Sequence, residues 1–152
     1  VRTGRNGTNS SYLAERGIGE NVKSYQLILP WPPSNNRYWR HSRGRHYISE
    51  WGQRYRKEVI QIIQAAKLDI SITPRIKVTI HAAPPDNRKR DLDNLPKAVF
   101  DALTSAGFWL DDGQIDDMRI KRCQRVLGGQ LVLVIRETTG ELPSIKDILE
   151  AA

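Results

Sequence analysis

Apolar residues recur at two periods along this chain, and the switches between them mark its elements. Trp51, Tyr55, Val59, Ile62, Ile63 and Ala66 lie at helical spacing, which predicts a helix with one buried face. Ser49 stands before it as N-cap, and Glu50 falls where the helix dipole favours a carboxylate. That helix should end near Lys67. A second helix is the clearest in the chain. Leu95, Ala98, Val99, Ala102, Leu103 and Ala106 form one apolar stripe, and Gly107 stands where a left-handed C-cap belongs. Ile76, Val78, Ile80 and Ala82 instead alternate with Arg75, Lys77, Thr79 and His81, the two-residue period of a strand. Further strands are expected over 25–29, 118–126 and 130–136. The last two should pair through Leu127-Gly128-Gly129. The pattern predicts an α+β fold: a small mixed sheet, two main helices packed on it and a C-terminal β-hairpin.

Outside these elements the pattern fades. Residues 1–22 are rich in Gly, Asn, Ser and Arg and have no apolar period, so they are expected to form a flexible arm. One folded domain should span 23–137, with a tail over 138–152 that includes a short helix from 143. A GUG start codon at Val22 would give a protein without the arm, so 1–21 are expected to be dispensable. Pro30-Trp31-Pro32-Pro33-Ser34-Asn35-Asn36 must be a loop, because proline removes ladder donors. A basic loop around Gly44 follows. Trp51 and Tyr55 are expected in the core, as members of the first helix's apolar face.

Composition narrows the function. No apolar run nears the roughly 18 residues of a membrane span, and no signal-peptide order is present. Cys123 is the single cysteine, which excludes an internal disulfide and a cysteine zinc site. His41, His46 and His81 are not spaced as a metal pair on one helical turn. A cytoplasmic protein fits these features. Lys plus Arg number 24 against 17 Asp plus Glu, a net charge of +7, and a basic surface favours polyanions. Arg37, Arg40, Arg43, Arg45, Arg54, Arg56 and Lys57 crowd 37–58, opposed by Glu50 and Glu58 alone. Aromatics are interleaved with them, and Arg88-Lys89-Arg90 is a second basic run. Arginine forks match phosphate and aromatics stack on bases; a solvated basic face is the plainer alternative.

That second run leads directly into acids, Asp91-Leu92-Asp93-Asn94-Leu95-Pro96-Lys97. If 91–93 is extended, the two carboxylates share a face and Leu92 points inward. Paired hard oxygens suit Mg2+ or Mn2+. Asp93 or Asn94 would begin the second helix, with Lys97 a turn on. A second pair, Asp111-Asp112, lies beyond that helix, which spans about 20 Å at 1.5 Å per residue. Asp112 reaches Asp91 only if Phe108-Trp109-Leu110 folds the chain back, or if a two-fold partner supplies the group. The competing view is structural: Asp93 caps the helix, Asp91 pairs with Arg90, and Asp111-Asp112-Gly113 is a turn.

Three segments together resemble a known family, the RusA-type Holliday junction resolvases: Leu29-Pro30-Trp31-Pro32-Pro33-Ser34-Asn35-Asn36-Arg37-Tyr38, Arg90-Asp91-Leu92-Asp93-Asn94-Leu95, and Gly107-Phe108-Trp109-Leu110-Asp111-Asp112. They occur in the family's order and spacing, and the likeness runs from about 24 to 137. The resemblance implies a homodimeric, metal-dependent endodeoxyribonuclease that binds branched DNA and resolves four-way junctions by paired nicks. It implies Mg2+ ligation, with Mn2+ as a substitute, by Asp91, Asp93 and Asp112, and an essential basic role for Lys97; Asp111 is a weaker candidate. Pro96 is compatible with a first helical turn. Arg37, Arg40, Arg45, Arg88, Lys89 and Arg90 are the expected phosphate contacts. Phe100, Phe108 and Trp109 are candidates for either core or dimer interface. Rival readings are a nucleic-acid-binding module without catalysis, a small-phosphate hydrolase and an RNA-associated role.

Overall fold

The computed structural model describes residues 12–16 and 22–152. Five strands form one mixed sheet: β1 (Tyr12–Arg16), β2 (Lys23–Leu29), β5 (Ile76–Ala83), β6 (Ile115–Arg122) and β7 (Gln130–Glu137), in the order β1-β2-β7-β5-β6. Neighbours are antiparallel except β5 and β6, which run parallel. Parallel strands need a crossover, and α3 (Pro96–Ser105) supplies it. The long α2 (Glu50–Ala65) packs beside α3. Tyr55, Val59 and Ile63 of α2 and Ala98, Val99, Ala102 and Leu103 of α3 are buried in one core with Leu27, Leu29, Val78, Ile80, Leu131, Leu133 and Ile135 of the sheet. A short α4 (Ile145–Ala151) ends the chain.

The expected α+β class and mixed sheet hold, with one correction to the topology: β6 and β7 do not pair as a C-terminal hairpin. β7 inserts between β2 and β5, and β6 sits at the edge. The side chains explain the choice. β7 reads Leu-Val-Leu-Val-Ile at its centre and has buried or half-buried residues on both faces, as a central strand requires. β6 carries Asp116, Asp117, Arg119, Lys121 and Arg122, charges that suit an edge. The connection crosses the end of β5, where Cys123 N donates to Ala82 O at 2.8 Å and Val126 N to Pro84 O at 3.0 Å.

Three further expectations change. Tyr12–Arg16, inside the expected flexible arm, pairs antiparallel with β2; residues 1–11 and 17–21 lie outside the described residues. The basic loop is a β-hairpin, β3 (Trp39–Ser42) with β4 (Arg45–Ile48), after a single helical turn α1 (Asn35–Tyr38). Its two-residue turn, Arg43-Gly44, has positive φ at both positions (50° and 74°), the geometry that fits strand twist. Trp51 is not core. It lies in the first turn of α2 and is 53% exposed, whereas Tyr55 is buried. Phe100, Phe108 and Trp109 are core residues in this chain. Trp109 packs edge-on to Phe100 at 5.5 Å, and its indole N–H donates to Thr104 Oγ1 at 2.7 Å.

The cap assignments decide where the acidic residues go. Ser49 accepts from Gly52 N at 3.1 Å, as expected of the α2 N-cap. Gly107, with φ of 72°, ends α3: its N–H donates to Thr104 O and that of Phe108 to Leu103 O, the paired bonds of a Schellman motif. The chain then runs along 71–72, with Ile72 N bonded to Phe108 O at 3.0 Å and Leu110 N to Ile72 O at 3.2 Å. It pairs with the segment before β5 while Trp109 packs back against Phe100 and Thr104 of α3.

Candidate nucleic-acid interface and carboxylate site

Asp91 is extended (φ −87°, ψ 132°) and leads into a 3-10 turn, Leu92–Asn94. Leu92 packs inward against the core while Asp91 and Asp93 are exposed, the disposition the alternation implied. Asp93 does not cap α3. The N-cap is Leu95, without a side-chain cap bond, and Pro96 takes the first helical position, where a missing N–H costs no helical bond. Asp91 does not pair with Arg90 either. Arg90 turns to Asp86, four residues back, through two hydrogen bonds of 2.5 and 3.1 Å, and Arg88 approaches the same carboxylate at 3.8 Å. Hydrogen bonding from Arg90, then from the Arg88 amide, holds the Asp86 carboxyl far below the usual range. Asp86 takes both neighbouring cations, and among the described residues Asp91 and Asp93 form no ion pair. Lys97 is exposed in the first turn of α3, its ammonium 5.3 Å from the Trp39 ring centroid.

Asp112 lies in the 3-10 turn Asp112–Gln114 that leads into β6 and packs against α3. Asp111 is structural: it caps this turn, accepting from Gly113 N at 3.3 Å. Gln114 locks the turn to the base of the sheet. Its Nε2 donates to Ile72 O and Pro74 O, both at 2.9 Å, and its Oε1 accepts from Asp111 N at 2.8 Å. Asp112 has its pKa raised by desolvation, then by Asp111 and more weakly by Asp101. Asp101, on α3 four residues after Lys97, is fixed by the Tyr38 hydroxyl and the Arg56 guanidinium, each at 2.5 Å.

Asp91 and Asp93 precede α3, and Asp112 follows it in a turn that packs against α3 and lies within electrostatic reach of Asp101. Among the described residues no group of three or more His, Cys, Asp or Glu converges as a metal site. The expected trio of Asp91, Asp93 and Asp112 is thus not assembled within one chain.

The basic residues converge better. A groove of about 740 Å³ opens beside Asp91, between the Pro-rich loop, α2 and the loop before α3. Arg37, Arg88, Lys89 and Arg90 line it, as the sequence suggested. So do Trp31, Trp51 and Arg54, which the sequence reading left out of the site. Arg54 lies three residues after Trp51, on the same helix face, and its guanidinium is 5.4 Å from the Trp51 ring centroid. Arg90 is half-spoken for: besides Asp86 it covers Trp31 at 5.8 Å. Arg40 and Arg45 are exposed on the β3–β4 hairpin and do not line the groove.

An α+β domain with a basic, aromatic-lined groove and the exposed carboxylate of Asp91 at its lip defines a polyanion-binding protein equipped for acid–base or metal chemistry. The chain belongs to the RusA endodeoxyribonuclease family: residues 30–135 match the family described as Endodeoxyribonuclease RusA. It is 53% identical over 120 residues to the crossover junction endodeoxyribonuclease RusA of Shigella sonnei (strain Ss046), covering 79% of this chain and all of that protein. The proteins of the same name from Escherichia coli (strain K12) and Enterobacteria phage 82 are each 52% identical over the same shares.

Proposed function

We propose that this protein is a crossover junction endodeoxyribonuclease that resolves four-way DNA junctions by paired, symmetric nicks in recombination and repair. The observation that carries this reading is the basic groove opening beside an unpaired Asp91, on a chain that shares about half its residues with nucleases of that name. Arg37, Arg88 and Lys89 hold backbone phosphates, contacts that position a substrate without reading its sequence. Lys97 offers its ammonium to a phosphate near Asp93.

The activity is proposed to need Mg2+, with Mn2+ as a substitute. Two exposed carboxylates are donors of the right hardness, yet among the described residues no third acidic or imidazole group joins them. The protein therefore acts as a homodimer whose two-fold partner contributes Asp112 to the Asp91–Asp93 pair. A junction with two equivalent strands calls for two sites related by that axis.

Subunit mixing tests this. Asp91→Asn and Asp112→Asn are each expected to be inactive on a synthetic junction in Mg2+. A mixed dimer of the two keeps one site with every carboxylate intact if the site is shared, and no complete site if it is not. Recovered nicking of one strand supports the shared site; failure of a verified mixed dimer to nick rules it out. No Mg2+-dependent nicking by the wild type would leave only a nucleic-acid-binding module.

A further inference from the structure

We propose that Trp51 is a stacking platform for an unpaired base of branched DNA, covered by Arg54 at the mouth of the groove beside Asp91. The inference rests on the nuclease reading and adds the chemical group taken at this position.

Four tryptophans are present, and three have their surroundings filled. Trp109 is in the core, Trp31 is covered by Arg90, and Trp39 lies under Lys97. Trp51 is the one with half its surface in solvent, 53% exposed, and it lines the groove. Its cover is light. Arg54 lies 5.4 Å from the ring centroid and is otherwise held by Glu50 at 3.1 Å, an ion pair whose side chains are 67% and 79% exposed. Such pairs hold weakly, so the guanidinium can swing aside or close over a second flat group. Arg90, by contrast, is fixed on Trp31 by Asp86, which closes that face.

The charge around the ring selects the ligand. Arg37, Arg54, Arg88 and Lys89 outnumber Glu58 and Asp91 in the groove, so its occupant is a polyanion that carries flat aromatic rings. In fully paired duplex the base faces are stacked on one another and closed to an indole. At the branch point of a junction a base can leave the stack. Trp51 then takes its face while Arg37 and Lys89 take flanking phosphates. Base–aromatic stacking changes affinity by about 5- to 150-fold per base when the aromatic is truncated.

The test uses the full chain without divalent cation, so that no strand is cut. Wild type, Trp51→Ala, Trp51→Leu and Trp51→Phe are titrated with a four-way junction carrying 2-aminopurine at the branch point, and with a fully paired linear duplex. Trp51→Ala and Trp51→Leu should each lose about 5- to 150-fold in junction affinity, lose the 2-aminopurine signal change, and bind duplex nearly as wild type. Trp51→Phe should keep most of both. Trp51→Leu retains apolar bulk without a π-face, so it separates stacking from loss of surface; unfolding midpoints confirm each fold. Wild-type junction affinity and signal in Trp51→Leu would overturn the proposal, as would an equal loss on duplex. If wild type shows no preference for junction over duplex, the functional reading fails and takes the platform with it.

Discussion

Replacing Gln114 should loosen the carboxylate site from behind. Its side chain is 7% exposed and makes three hydrogen bonds, two to the carbonyls of Ile72 and Pro74 and one from the Asp111 amide. Alanine removes all three; Ile72 O keeps its bond from Leu110 N, while Pro74 O and the Asp111 N–H lose these partners. At about 1 kcal/mol net per bond, with a further cost for orphaned groups, the loss is about 2 to 4 kcal/mol. For a domain of this size that lowers Tm by roughly 5 to 12 °C. Gln114→Glu sharpens the test. A carboxylate can still accept from Asp111 N, but its oxygens face two carbonyl oxygens, so the folded state favours the protonated acid. A folded pKa above the unfolded value adds stability that is present at low pH and lost as pH rises through the folded pKa. Urea unfolding should therefore show Gln114→Ala destabilised at every pH, and Gln114→Glu partly rescued below about pH 4, near the unfolded glutamate pKa. Junction cleavage should fall in both, because the bonds hold the turn that carries Asp112. An unfolding midpoint equal to wild type in Gln114→Ala would refute the reasoning.

Other expectations follow from the same geometry. Asp93 caps nothing, so Asp93→Asn should leave stability within about 0.5 kcal/mol while cutting junction nicking by orders of magnitude and leaving binding intact or tighter; wild-type nicking rates would remove Asp93 from the site. Asp112→Asn should abolish nicking yet stabilise the fold slightly. Its raised pKa means the charged form is disfavoured in the folded state, a penalty that grows as pH rises through that pKa. Solvent screening keeps the gain under about 1 kcal/mol, and a lowered unfolding midpoint at neutral pH would contradict it. Arg37→Ala, Arg88→Ala and Lys89→Ala should each reduce the salt dependence of DNA binding by about one unit. Arg90→Ala should change it less, because Asp86 already neutralises that charge; equal slopes for all four would count against this division.

What the sequence made legible is what local periodicity carries. The alternation of β5, the stripe of α3 and the Ser49 cap of α2 each depend on residues a few positions apart, and each is where it was expected. Strand partners depend on the whole sheet. The expectation of a C-terminal hairpin followed chain adjacency, whereas burial on both faces drew β7 to the centre and charge left β6 outside. Tyr12–Arg16 carries no apolar alternation in the sequence, so its pairing with β2 was not legible there. At the site, the exposure of Asp91 and Asp93 was readable from alternation. That Arg90 would choose Asp86 was not, since 90 has acids on both sides and only the loop's path selects between them. Trp51 fits the helical period, but a helical wheel does not show what, if anything, packs on a helix's first turn.

The place of β7 has a consequence for how the molecule is made. It is the last strand of the chain, yet β2 meets the rest of the sheet only through it. On the ribosome, β2 waits more than a hundred residues of synthesis for its central partner. Until residues 131–135 emerge, the nascent chain holds two separate pieces with open edges, β1–β2 and β5–β6. A message broken before codon 131 would therefore yield no smaller version of this domain. It would yield exposed strand edges, material for proteases and chaperones.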